Sequence, residues 1–258
     1  MGDAGASTAG SKPTLSVVIP ALNEEANIEA AVREAVAALG DRFSDYELLL
    51  FDDGSTDRTG EIMNALAAAD PHIRVTHNPR PNNLGGVYRQ GVELARMEYL
   101  LMVPGDNENP AHALQAPFDA IGRADIVIPY PTNSAVRGLP RHLASRAYVG
   151  LLNRLFGLHV RYFNGTVIHR AENLKAIRIE TTSFAYQTEI LLKLLCARKT
   201  YVEVPIEIEP PKPGRRSRAF RWKNLVEVGK TVGRLFVDLR VGGRGARVAQ
   251  NQGAGRVA

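Results

Sequence analysis

Residues 47–57 read Glu-Leu-Leu-Leu-Phe-Asp-Asp-Gly-Ser-Thr-Asp, and this stretch decides the fold. Leu48, Leu49, Leu50 and Phe51 form an apolar run of the length of a buried strand, which stops at two carboxylates, Asp52 and Asp53. Gly54 permits a turn, and residues 55–59 supply caps for a helix running to about Ala69. A strand that ends in acids at such a turn is how open α/β sheets bring ligand-binding groups to their carboxyl edge. On this stretch alone, helix capping accounts for the acids equally well.

The same pattern recurs on either side. Residues 15–19 form a short β-branched strand closed by Pro20. Residues 23–27 then open an amphipathic helix with Ile28, Ala31, Val32, Ala35, Val36 and Leu39 on its apolar stripe. Downstream come a strand over 74–77, a helix over 86–95 and a strand over 99–103 that ends in Pro-Gly-Asp-Asn-Glu-Asn-Pro. Gly91 and Ala95 let that helix lie close to the sheet. A helix over 111–122 and a strand over 125–129 follow. Strands alternating with helices predict an α/β fold with a mostly parallel sheet and right-handed crossovers. The second half is less regular: a helix over 137–156, an irregular or strand-like stretch over 160–168, a helix over 182–197 and an alternating strand over 200–208.

With 45% apolar and 23% charged residues the composition is that of a soluble globular protein. The domain plan reads as a flexible leader (1–12), a catalytic domain (13–210), a basic loop with an amphipathic helical segment (211–240) and a disordered tail (241–258). A lone cysteine, Cys196, excludes an intrachain disulfide and fits a reducing cytoplasm; it sits on the apolar side of its helix. No apolar stretch nears the roughly 20 residues of a membrane span, and no signal peptide is read at the start. The net charge of +5 is concentrated after residue 210, which suggests an anionic partner: phosphate, a lipid surface or nucleic acid.

Three strand ends share one edge: residues 20–25, Asp52 with Asp53, and residues 106–108. The third is the sharpest, because two carboxylates one residue apart, Asp106 and Glu108, can reach one hard cation that bridges to phosphate oxygens. Capping of the helix at Ala111 is the plain alternative.

In order and spacing, Val-Ile-Pro-Ala-Leu-Asn-Glu-Glu (18–25), Phe-Asp-Asp-Gly-Ser-Thr-Asp (51–57), Asn-Leu-Gly-Gly (83–86) with Gly91, and Gly-Asp-Asn-Glu (105–108) resemble the family 2 glycosyltransferases, in particular the dolichyl- and polyprenyl-phosphate sugar transferases. The resemblance spans about residues 14–218. It implies a GT-A fold, a UDP- or GDP-sugar donor and inverting transfer. It also implies a nucleotide-sugar site built from Pro20, Ala21, Leu22, Glu24, Leu50, Asp52, Asp53 and Asn107, with Asp52 bonding the base and Asp106 with Glu108 holding Mg²⁺ or Mn²⁺. Lys212 and Arg218 stand in the places of the family's Arg and Lys in a loop that closes on the phosphates. Residues 184–189 and Glu-Val-Pro-Ile (203–206) resemble the acceptor-side helix and the strand after it.

The chain also departs from that pattern. Glu108 stands where Asp is usual, Pro-Tyr-Pro (129–131) where Ser-Arg-Tyr is common, and Tyr-Phe-Asn-Gly (162–165) replaces an Asp and Ser-Gly-Phe signature. A lipid phosphate acceptor needs no strong base, whereas a hydroxyl acceptor does. Glu189 is the candidate base, with an ion pair to Lys193 one turn on as its alternative role. Arg141 and Arg146 are candidates for acceptor phosphate. The basic amphipathic stretch over 220–239 suits either an anionic membrane surface or packing against the core or a second copy. The six histidines show no ligand spacing and read as structural or surface. A soluble hydroxyl acceptor is the alternative within the class. A nucleotidyltransferase would need a Gly-rich loop with Lys after the first strand, and a nucleic-acid module leaves three acidic strand ends without a purpose.

Overall fold

The structure, a computed structural model, describes residues 11–210 and 222–241. Most of the expected leader, the segment carrying Lys212 and Arg218, and the expected tail lie outside the described residues. The strands are β1 (Thr14–Ala21), β2 (Asp45–Asp52), β3 (Ile73–His77), β4 (Tyr99–Met102), β5 (Ile126–Pro131), β6 (Ile168–Arg170) and β7 (Tyr201–Ile206), in one sheet of order β3-β2-β1-β4-β6-β5-β7. Neighbours are parallel except at β6, which runs antiparallel to both β4 and β5.

Helices cover both faces. On one lie α1 (Ile28–Leu39), α2 (Thr59–Ala69) and α4 (Ala111–Asp119). On the other lie α3 (Asn83–Leu94), α5 (Leu139–Phe156), α6 (Ala171–Lys175), α7 (Tyr186–Cys196) and α8 (Trp222–Phe236). The apolar run of β2 feeds both cores, as a strand buried on two faces must. Leu48 and Leu50 point into one, Leu49 and Phe51 into the other. Gly91 brings α3 against β1: a Cβ there would stand 2.5 Å from Val18 Cγ2. No helix among the described residues is long and apolar enough to cross a membrane.

The sequence reading needs several corrections. Pro20 does not close β1 but lies inside it, paired with Phe51, and its carbonyl still accepts a bond from Gly105 N at 2.9 Å. The α3 helix opens at Asn83, three residues before the expected start, because Asp53 accepts the amides of Asn82 and Asn83 and so caps it from a distance. The α7 helix opens at Tyr186 rather than residue 182, since residues 180–183 are drawn off as a loop. The stretch expected over 160–168 is irregular, and β6 starts only at its last residue, too short to announce itself by alternation. In α8, Val232 and Leu235 are buried in the core that α5 and α7 also line, and Phe236 meets Phe156 edge-on at 6.1 Å, so the C-terminal half of this helix packs on the core, whereas Val226 is exposed.

The inserted strand carries His169, fully buried, whose Nε2 lies 2.9 Å from the amide nitrogen of Gln187. Burial lowers its pKa to about 3. The unfolded imidazole titrates near 6.5, so below that pH the unfolded chain takes up a proton that the folded chain refuses, and stability falls as pH drops from about 6.5 toward 3. Urea unfolding of the His169→Gln variant between pH 6 and 4.5 should lose a slope of up to ~1.4 kcal/mol per pH unit relative to the native chain; an unchanged slope contradicts a neutral buried imidazole.

Candidate active site

The carboxyl ends of β2, β1 and β4 lie side by side and are tied together through β1. Asp53 N donates to Ala21 O at 2.9 Å, and Gly105 N to Pro20 O at 2.9 Å. Glycine eases the close approach at 105, where a Cβ would meet Ile28 Cδ1 at 2.9 Å and Ala21 Cβ and Pro20 O at 3.1 Å. The two flanking turns also hold each other. Asn23 N donates to Ser55 Oγ, Glu24 N to Thr59 Oγ1, Thr56 N to Asn23 Oδ1 and Arg58 N to Glu25 Oε2, at 2.8–3.0 Å. Asn23 and Asn107 take left-handed backbone conformations (φ 56° and 55°), which asparagine tolerates better than most residues.

Asp52 sits at the floor of this edge. Its Oδ1 accepts Ser55 N at 3.0 Å and its Oδ2 lies 3.0 Å from His77 Nδ1, while His77 Nε2 lies 2.9 Å from Asn64 Oδ1. Burial alone would raise its pKa, but the hydrogen bonds from Ser55 and His77 outweigh burial and hold the carboxyl below its ordinary value. Gly60 clears the space, since a Cβ there would lie 2.6 Å from Asp52 Oδ2. His77, read from sequence as structural or surface, is thus the partner of Asp52; its place at the end of a parallel strand was the available signal. Asp53 has a different task. Its oxygens accept Asn82 N, Asn83 N and Asn78 Nδ2 at 2.8–3.0 Å, so it anchors α3 rather than facing the edge. Leu50 is fully buried in the core and does not line a nucleotide site. Pro20 and Ala21 are buried in β1, while Leu22 and Glu24 are half-buried in the turn beyond it, with Glu24 Oε2 taking Asn27 Nδ2 at 2.7 Å.

Asp106 is half-buried and Glu108 exposed, and Asp106 Oδ1 accepts Glu108 N at 3.2 Å across the left-handed Asn107. Among the described residues no three His, Cys, Asp or Glu side chains gather as a metal cage. Two carboxylates leaving further positions to diphosphate oxygens and water fit the donor set of Mg²⁺ or Mn²⁺, so the residues present suit such an ion.

The acceptor-side candidates separate. Glu189 is wholly buried: Oε1 takes Lys193 Nζ at 2.6 Å and Glu180 N at 3.1 Å, Oε2 takes Thr181 N at 2.8 Å, and Arg234 lies 3.5 Å away. That is the ion-pair role, extended to a loop lock; the base role has no accessible oxygen here. Arg146 lines a cleft of about 340 Å³ at the end of β5, with Tyr130, Ser134, His142, Ser145, Arg161 and Tyr162. Arg141, half-buried on the same helix, is not among its lining residues.

A sequence model described as Glycosyl transferase family 2 matches residues 16–194. The chain belongs to this family. Among its relatives, the glycosyltransferase AglD of Haloferax volcanii is 30% identical over 206 residues, covering 76% of this chain but only 33% of that protein. An undecaprenyl-phosphate mannosyltransferase of Micrococcus luteus is 27% identical over 207 residues, covering 73% of this chain and 81% of the relative. The chain spans 57% of an undecaprenyl-phosphate 4-deoxy-4-formamido-L-arabinose transferase of Edwardsiella ictaluri, at 28% identity. Glucosyl-3-phosphoglycerate synthase of Mycobacterium tuberculosis, solved with Mn²⁺, UDP-glucose and phosphoglyceric acid, superposes with a TM-score of 0.64 at 20% identity, covering 88% of this chain and 79% of that one. The family 2 enzyme described here therefore shares the GT-A architecture of these solved structures.

For this glycosyltransferase the buried Glu189 makes a clear expectation. Glu189→Gln should destabilise the fold by about 3 kcal/mol in urea, because two cations lose their buried partner. Turnover per folded molecule should stay within about threefold, against the ~100-fold or larger loss that follows removal of a general base.

Proposed function

We propose that the chain is an inverting, metal-dependent transferase that moves a sugar from a nucleoside diphosphate sugar to a polyprenyl phosphate. On the donor side, Asp52 accepts from the base, the turns after β1 and β2 enclose the nucleoside, and Asp106 with Glu108 hold Mg²⁺ or Mn²⁺ on the diphosphate. The ion, when bound, neutralises the departing diphosphate as a Lewis acid. Lys212 and Arg218, outside the described residues, belong to this reading as phosphate contacts. On the acceptor side, the nucleophile is a phosphate oxygen already ionised at neutral pH, so in-line displacement at the anomeric carbon requires no protein base. The engagement of Glu189 in a buried ion pair agrees with that.

The acceptor half of the reading rests on one observation. Leu139, Leu143 and Leu151 on α5 are each more than half exposed, and with Ala147 they form an apolar stripe at four-residue spacing. Ser145, Arg146 and Val149 of the same helix line the cationic cleft. An unpartnered apolar stripe beside a cationic cleft suits a lipid whose phosphate enters the cleft and whose chain follows the helix. The same stripe would hold the protein peripherally on a membrane. The names of the relatives support a polyprenyl phosphate acceptor, and the solved neighbours make UDP the first nucleotide to try.

The test is a transfer assay with UDP- and GDP-sugars, Mn²⁺, and a short polyprenyl phosphate in half the wells. Turnover with one donor that depends on the lipid phosphate, and is lost in Asp106→Ala, is the expected result. Donor turnover indifferent to the lipid phosphate would move the acceptor to a hydroxyl compound and overturn this half of the reading.

A further inference from the structure

Resting on the transferase reading, we propose that Arg161 is an acceptor-binding residue: with Arg146 it forms a two-armed receptor for a phosphate monoester, so that the enzyme selects its acceptor by that group. The cleft lies at the carboxyl end of β5. Because β4 and β5 are both antiparallel to the intervening β6, that end shares an edge with Asp106, two strand places or about 10 Å along the sheet. An acceptor group held there stands beside the donor half rather than behind it.

Arg161 is oriented by its neighbours although its side chain is 62% exposed. Val160, on its N-terminal side, is pinned by Asn153, which accepts its N at 3.1 Å and donates to its O at 2.8 Å; Phe163 is wholly buried. Arg161 N donates to Glu203 Oε1 at 2.6 Å, and Nε lies 3.6 Å from Glu203 Oε2. Nη1 donates to the Tyr130 hydroxyl at 2.6 Å, with the guanidinium carbon 4.7 Å from that ring's centroid. A guanidinium has five N–H donors, and Tyr130 takes one. Glu203 and Tyr130 therefore orient the fork, so less rotamer freedom is lost on binding. Arg146, exposed on α5, lines the same cleft and supplies a second positive charge, and Ser134, Ser145, His142 and Tyr162 add polar groups to its lining. Two guanidinium-bearing side chains lining one small polar cleft match a dianionic, multi-acceptor phosphate better than a neutral hydroxyl. A lipid phosphate and a small phosphorylated metabolite present this same group.

Calorimetric titration of the full chain with a short polyprenyl monophosphate, the matching polyprenol and 3-phosphoglycerate tests the proposal without turnover. At least one phosphate monoester should bind about tenfold or more tightly than the alcohol, and Arg161→Gln should remove that advantage while Arg161→Lys restores part of it. Arg146→Gln, on an exposed helix face where folding is not at stake, should bring its own loss of about tenfold. Melting temperature reports whether Arg161→Gln folds. Preference for 3-phosphoglycerate over the lipid keeps the receptor and makes its ligand a soluble metabolite. Equal binding of phosphate and alcohol, or full affinity in a folded Arg161→Gln variant, overturns it. UDP affinity with Mn²⁺, measured in parallel, reports on the transferase reading separately: a chain that binds phosphate monoesters but no UDP keeps the receptor and loses the transferase.

Discussion

The carbonyls at the end of β1 hold the candidate site together. Pro20 O takes Gly105 N and Ala21 O takes Asp53 N, so the loops after β4 and β2 are both hung from the central strand. This is eased by a glycine at 105 and needs an extended β1 through Pro20. A proline can occupy that place because the bond to Gly105 uses its carbonyl, which proline keeps, and not the N–H that it lacks. Everything chemical at the edge inherits its position from these bonds. Asp52 stands at the last paired residue of β2, and Asp106 follows Gly105 directly.

From there a second chain of contacts runs into the acceptor half. Asp53 caps α3 through Asn82 and Asn83; Gly85, one turn on, takes a bond from its N to Thr182 O, and a Cβ there would collide with the Thr181 carbonyl at 2.4 Å. That loop is held in turn by Glu189, whose carboxylate binds the amides of residues 180 and 181 and the cations of Lys193 and Arg234. A buried charge is costly unless it is paired and hydrogen-bonded, and Glu189 is both. The arrangement links α8, through Arg234, to the edge formed by the ends of β1, β2 and β4.

Much of this was legible in the sequence. The βα alternation, the acids at strand ends and the glycine at 91 made the first half of the fold readable, because parallel strands buried on both faces leave long apolar runs and polar stops. The acceptor half was less legible. The β6 strand has three residues and no period, and the cap of α3 comes from Asp53, thirty residues away in sequence, which no local capping rule detects. Leu50 and Asp53 flank Asp52 within a single strand end, yet alternation and turning send one into the core and the other to α3. The departure at Pro-Tyr-Pro was visible as a departure, but not that Arg161 reaches Tyr130 from a separate loop. Such pairings are tertiary, and sequence spacing does not encode them.

The central claim is that the ends of β1, β2 and β4 form one nucleotide and metal site. Calorimetric titration of UDP with and without Mn²⁺, on the native chain and on Asp106→Asn, tests it most directly. The account predicts that Mn²⁺ tightens UDP binding by about tenfold or more and that Asp106→Asn removes this increment while retaining the metal-free affinity. UDP affinity indifferent to Mn²⁺, or an increment that survives in Asp106→Asn, would contradict it.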